Sequence, residues 1–272
     1  MKNSLPTGKP HVSFSEMSDW MQCSWRHKLK HVQKIKLDPG STEMVFGTVF
    51  HECVEARVQV SSPIRAYLVE LTKEKLLEVD DEEKVNAFDI EKCVDKALQM
   101  SIDAVEWLHE QFPGFKLVSA EEDLYEKIKI EHICQDDVSF KGFIDLVIDV
   151  PSKNGKIITW IIDWKTASRP WDRKKLMDPK VTYQLSLYKN FWALKYGRTH
   201  ENIRCGYAIA LKKGKPGKTF NFIPVSVGPV VSKRTLTVLN NFVGSVKRGM
   251  ALKNKNAQNC QWCEYRDTKH CT

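Results

Sequence analysis

The sequence predicts an α/β fold in which a central sheet is flanked by helices. Three observations predict it: helical segments over about the first 110 residues, three successive strand patterns between about 116 and 164, and a helix, two strands and a last helix after them.

The first helix is announced by Ser13-Phe14-Ser15-Glu16, a capping-box pattern, and is expected to run to about His31, carrying Cys23. Its far end is basic, with Arg26, His27, Lys28, Lys30 and His31. A second helix carries His51 among the apolar residues Val49, Phe50, Cys53 and Val54. Residues 64–112 read as a mostly helical insertion between that helix and the sheet, because Val85, Phe88, Cys93, Ala97, Ile102, Val105 and Leu108 recur roughly at helical spacing. Strands are expected at about 116–132, 138–150 and 156–164, with Pro151 to Gly155 as a turn between the last two. A helix from about Val181, strands near 203–212 and 219–227, and a helix over about 232–250 complete the order.

With 272 residues, 42% hydrophobic and 28% charged, the chain is expected to form one compact domain over 1–272. The segment Met1 to Pro6 lacks the apolar core of a signal peptide, and no apolar run approaches ~20 residues. A cytoplasmic protein with no membrane contact is therefore the expectation. The net charge of +8 suits an anionic polymer as partner.

The chemistry concentrates in Gly142-Phe143-Ile144-Asp145 and Ile161-Ile162-Asp163-Trp164-Lys165-Thr166. Asp145 lies in one apolar-alternating run and Asp163 closes another, so adjacent strands would bring the two carboxylates together. Like charges at that distance repel unless a divalent cation lies between them, and oxygen ligation suits Mg²⁺ or Mn²⁺ rather than zinc. Lys165, two residues beyond Asp163, points to the same face, where it could hold or deprotonate an attacking water. Ordinary solvent-exposed strand ends are the bland alternative. Two charges set directly after Trp160-Ile161-Ile162 argue against it, because a buried strand rarely ends so without a use for them.

An Asp, a hairpin and Asp-X-Lys resemble the signature of the PD-(D/E)XK nuclease superfamily, whose restriction-endonuclease-like core is a central mixed sheet flanked by helices. Gly47-Thr48-Val49-Phe50-His51 is similar to the Gly-X-X-X-His helix start of the RecB-like branch, and Gln184-Leu185-Ser186-Leu187-Tyr188 to its Gln-X-X-X-Tyr motif. The resemblance implies a metal-dependent deoxyribonuclease acting as an exonuclease on DNA ends or single strands, in recombination, repair or phage replication. Asp145, Asp163 and His51 would serve the Mg²⁺ (or Mn²⁺) site, Lys165 the nucleophilic water, and Gln184 and Tyr188 the strand. The family also carries a glutamate on the preceding strand. Glu121 and Glu122 are both available, alternation does not separate them, and Glu122 is preferred. Any helicase or recombination partner would be a separate chain. A spacer-processing CRISPR-associated relative and an inactive DNA-binding subunit are the alternative readings.

Of eight cysteines, Cys53, Cys93, Cys134 and Cys205 stand singly among apolar neighbours and read as small buried hydrophobes. Cys260-Gln261-Trp262-Cys263, followed by Cys271, has ligand spacing, and Cys23 is the candidate fourth ligand. In the AddB-type and CRISPR-associated RecB-like proteins, one cysteine before the core and three after it hold a four-iron four-sulfur cluster that staples the termini. Here the seven residues Glu264 to His270 make a longer last spacing than in those relatives, which leaves room for Zn²⁺, or for His270 as a ligand. A disulfide framework is the weakest option, since nothing marks the chain as secreted.

Two basic loops remain. Arg169, Trp171, Arg173, Lys174 and Lys175 follow Lys165 and suit phosphate contacts, with a base stacked on Trp171. Lys212 to Lys218 reads as a hairpin tip, for which a solvated turn is at least as good an account.

Overall fold

Strand β1 (His11–Ser13) leads into α1 (Phe14–Gln22), a short α2 (Ser24–His27) and one π-helical turn over Lys28–Val32. The helices α3 (Thr42–Val58), α4 (Arg65–Leu76), α5 (Glu82–Asn86) and α6 (Ile90–Gln111) follow. Next come β2 (Lys116–Ile130), β3 (Ile133–Pro151), β4 (Ile157–Ala167), α7 (Arg173–Leu176), α8 (Pro179–Tyr196), β5 (Ile203–Leu211), β6 (Phe220–Val225), α9 (Pro229–Lys247) and α10 (Ala257–Cys260). This computed structural model describes residues 5–130, 133–214 and 219–271.

The expected first helix is broken at Cys23. The Ser13 hydroxyl accepts from the Glu16 N–H at 3.3 Å, as the capping pattern requires. Glu16 itself turns inward and takes Lys9 at 3.1 Å instead of reaching back to the cap. At Cys23 the backbone is extended (φ −162°, ψ 116°) before helix resumes at Ser24, which turns the thiol out of the helical path toward the carboxyl-terminal tail.

One mixed sheet organises the rest. β3 pairs antiparallel with β2 along one edge; on its other edge it pairs first with β1, in parallel, and then with β4, antiparallel. β4 and β5 are parallel, joined through α8, and β6 closes the far side antiparallel to β5. Two apolar layers cover the faces. Ile144, Val147, Ile161 and Tyr207 pack under α8 and α9, whereas Leu146, Ile148, Ile162 and Trp164 pack under α3 and α6. Ile144 and Leu146, two residues apart, should share a face, yet they belong to opposite layers. The alternation of β3 therefore slips at Asp145.

The β1 pairing ends at Lys141 and the β4 pairing starts at Leu146, so this edge of β3 has no strand partner over 142–145. Gly142 in that gap is required to be small: a Cβ there would lie 2.9 Å from Tyr188 Cε1. No helix among the described residues is long and apolar enough to cross a membrane.

Candidate active site

Beyond the Leu146–Ile162 pair, β3 and β4 separate, which frees the Trp164 N–H. Asp145 fills the gap, its Oδ2 accepting from that N–H at 2.6 Å. His51, reaching in from α3, brings Nδ1 to 3.6 Å from the same oxygen. α3 lies close to the strand ends at Gly47, where a Cβ would sit 3.5 Å from Thr166 Oγ1, an ordinary contact.

The third member of the group is Glu121, not Glu122. The pairs Ala120–Leu146 and Glu122–Ile144 place Glu121 opposite Asp145. Its φ of +49° lies in the left-handed region that non-glycine residues seldom occupy, at a cost of roughly 1–3 kcal/mol. His51, Glu121 and Asp145 each offer one ligand atom, all within 4.8 Å of one another. Glu122 is turned toward the other layer, where its Oε1 accepts from Tyr196 Oη at 2.6 Å and pairs with Lys195. Burial raises its pKa, but these partners outweigh it and leave Glu122 below its ordinary value.

Asp163 is buried one strand over. It pairs with β5 (Asp163 beside Tyr207) while lying beyond the β3 pairing, so it is interior on one side and terminal on the other. Lys165 forms an ion pair with its Oδ2, and Gln184 Nε2 donates to its Oδ1 at 3.0 Å. Gln184 also donates to Tyr188 Oη at 3.2 Å, and its own Oε1 lies 3.2 Å from the Tyr207 hydroxyl. Gln184 and Tyr188, four residues apart on α8, thus face the site and hold Asp163 in place. Tyr207, which sequence reasoning did not single out, completes this support, and the Lys165 Nζ lies 5.9 Å from its ring centre. Its parallel register with Asp163 was the missing signal.

The electrostatics are those of a site short of positive charge. Burial holds the Asp145 carboxyl well above the usual carboxylate range; Asp163 adds to this and Lys165 opposes it. Burial, with Asp145 as its like-charged neighbour, lifts Glu121 to about 7. Burial and then Lys165 depress His51, which keeps the imidazole neutral and able to ligate. Burial opposes the Lys165 charge, yet Asp163 and Asp145 outweigh it, so its pKa sits above the ordinary lysine value. Two carboxylates and a neutral imidazole converging at this distance fit a divalent cation such as Mg²⁺ or Mn²⁺.

Of the basic loop, Arg169, Arg173, Lys174 and Lys175 are exposed. Trp171 is half-buried: its ring packs tilted against Tyr207 (centroids 5.0 Å apart), and Lys175 Nζ lies 5.4 Å from its centre. In the second loop Lys212 lies over the Phe46 ring, and residues 215–218 lie outside the described residues.

Cys23, Cys260, Cys263 and Cys271 line one cavity. The break at Cys23 is what turns it there, where Asn254 N–H donates to its sulfur at 3.4 Å. Around them the tail is bound to the first helices: Trp25 Nε1 to the His270 carbonyl (2.9 Å), Arg26 Nε to both Glu264 oxygens (3.1 and 2.9 Å), and Tyr265 Oη to the Ile35 carbonyl (2.6 Å). His270 contributes this carbonyl and is not part of the cavity wall. A tetrahedral zinc would draw thiolates to about 3.8 Å of one another. The four thiols lie together on this cavity wall, the arrangement that either a zinc ion or a larger thiolate-held group requires. Cys53, Cys93 and Cys205 are buried as expected, their thiols pushed by burial up to about 12, 11 and 12. Cys134 differs from expectation: it is exposed, near the start of β3, where strand alternation points it outward.

The sequence pattern of the PD-(D/E)XK nuclease superfamily matches residues 11–268, and the chain belongs to that superfamily. The crystal structure of a putative exonuclease from Eubacterium rectale is similar in fold, with a TM-score of 0.56 and 14% identity over 94% of this chain and 87% of that one. A second solved structure, SSO0001, gives a TM-score of 0.35 and 14% identity over 89% of this chain and 91% of that one. No curated protein matches the chain.

Proposed function

We propose that the protein is a Mg²⁺- or Mn²⁺-dependent deoxyribonuclease of the RecB-like type, an exonuclease on DNA ends or single strands. The observation that carries this reading is the convergence of His51, Glu121 and Asp145 beside the Asp163–Lys165 pair. A divalent cation held there supplies Lewis-acid charge at the phosphate and acidifies a water. Lys165, held protonated, donates to the water and offsets charge on the pentacovalent transition state, rather than acting as the base. Gln184 fixes Asp163, and Tyr207 and Tyr188 fix Gln184, so the charged groups are set before substrate arrives. Asp145, Asp163 and Lys165 held together in one site argue against an inactive binding subunit.

The cysteine cavity supports a four-iron four-sulfur cluster on Cys23, Cys260, Cys263 and Cys271, with Zn²⁺ as the alternative. Its role is to staple the tail to α1. The cellular setting that suits such an enzyme is cytoplasmic recombination, repair or phage replication beside a separate helicase or recombination protein.

End-labelled linear DNA and closed circular DNA, each incubated with Mg²⁺, Mn²⁺ or EDTA, test the reading. Linear substrates should be digested from their ends with either metal and be untouched in EDTA, with circles intact. Cut circles would overturn the exonuclease assignment, and no cleavage with any divalent ion would overturn the nuclease.

A further inference from the structure

Trp262 is 83% exposed, well beyond the other exposed aromatic residues, which reach 51% at Tyr67. It lies between Cys260 and Cys263 in a loop that is held rather than loose. Asn259 Nδ2 donates to the Gln22 carbonyl at 2.9 Å, Gln22 Nε2 returns a bond to the Asn259 carbonyl at 3.1 Å, and Cys263 N–H closes the turn on the Cys260 carbonyl at 3.1 Å. A large indole fixed in water on a rigid loop is a poor choice for stability and a good one for contact.

The ring helps to line a groove of about 630 Å³ that Lys174, Lys175, Lys180, Met21 and Met177 also line. Two carboxylates also line it, Asp172 and Asp178. Each is engaged in capping, accepting from the N–H of Lys175 at 2.8 Å and of Lys180 at 2.9 Å. The three ammonium groups outnumber these two carboxylates by one, and Lys180 Nζ also donates to Gln22 Oε1 at 3.4 Å. Lys180 is the link to the active site: Lys180, Gln184 and Tyr188 are spaced four apart on α8, so the groove starts one helical turn, about 6 Å, from the side chain that holds Asp163. Burial lowers the Lys180 pKa, with Asp178 and Asp19 opposing and Arg26 and Lys175 adding to the effect, and an anion beside it would relieve this.

We infer that this groove binds single-stranded DNA next to the cleavage site, with Trp262 stacking an unpaired base and Lys174, Lys175 and Lys180 holding the phosphates. The inference rests on the deoxyribonuclease reading and adds the strand's path to it. An aromatic platform beside lysines is the arrangement that binds single strands without sequence preference. The base face is available to Trp262 only when the base is unpaired, so a duplex does not satisfy the site.

The test uses the full-length protein in EDTA, where binding proceeds without cleavage. Fluorescence anisotropy with a fluorescein-labelled single-stranded oligonucleotide and its matched duplex compares the parent with Trp262→Ala and Trp262→Phe. Trp262→Ala should weaken single-strand binding about 5- to 100-fold, the range of one base–aromatic stack. Trp262→Phe should recover most of this, and duplex affinity should hold within about twofold. Removing Lys174 and Lys180 together should flatten the salt dependence of single-strand binding. A parent that binds single strands and cuts DNA, alongside an unaltered Trp262→Ala variant, would overturn the groove assignment alone and leave Trp262 for another partner. Equal losses on single strand and duplex would likewise overturn it. A parent that neither binds nor cuts would bring down the nuclease reading and the groove with it.

Discussion

Lys165→Ala and Asp163→Ala are each expected to lower DNA cleavage by at least about 100-fold while the protein stays folded. This is the scale of removing one preorganised electrostatic group from a transition state. Lys165 balances the charges of Asp163 and Asp145, and Asp163 in turn fixes the Lys165 Nζ. Neither side chain belongs to an apolar layer, since those are built from Ile161, Ile162, Trp164 and their neighbours. Circular dichroism of each variant should therefore match the parent. Single-turnover rates on single-stranded DNA at saturating Mg²⁺ provide the check, and a near-parental rate in either variant would remove that residue from the site.

The second large effect is expected at the cysteine cavity. Cys260→Ser or Cys263→Ser should abolish bound iron and labile sulfide in anaerobically purified protein, which in the parent should be brown. Thermal stability should fall as well. The cluster would close a loop of more than 230 residues between Cys23 and Cys260, and its binding energy is folding energy. A loss of about 5 °C or more in the thermal midpoint is the expected scale. Cys134→Ser, at an exposed position away from the cavity, should leave the metal content intact. Stoichiometric zinc in a colourless protein would keep the staple and replace the cluster, whereas no metal in anaerobic preparations would end both.

Much of the site was legible because its residues obey simple spacing. Asp163 and Lys165 are two apart on a strand, Gln184 and Tyr188 four apart on a helix, and an order of helix, three strands, helix, strand carries them to one place. What stayed hidden depends on departures from regular geometry. The choice between Glu121 and Glu122 turns on a positive φ and on the slip of β3 at Asp145, neither of which leaves a mark in hydrophobic alternation. The same holds at Cys23, where a capping box and helical spacing argue for continuity and a single extended residue breaks it. Trp171 sits among cations in the sequence, and its contact with a tyrosine from a strand more than 30 residues later is visible only in the fold. Trp262 drew attention only as a spacer between cysteines, and its exposure is a property of the folded tail. Local pattern gathers the candidate side chains, and tertiary packing decides which of two neighbouring residues faces the site.

The most direct test of the metal site is the Mg²⁺ dependence of cleavage in Glu121→Gln and Glu122→Gln, measured on the same end-labelled strand across pH. Glu121 must lose a proton with a pKa of about 7 before it can ligate, so the parent should need less Mg²⁺ as pH rises through that value. Glu121→Gln should cleave at least about 100-fold more slowly and lose this pH dependence, whereas Glu122→Gln, which breaks only the contacts to Lys195 and Tyr196, should retain both near-parental rate and pH response. Full activity in Glu121→Gln with loss in Glu122→Gln would contradict the account.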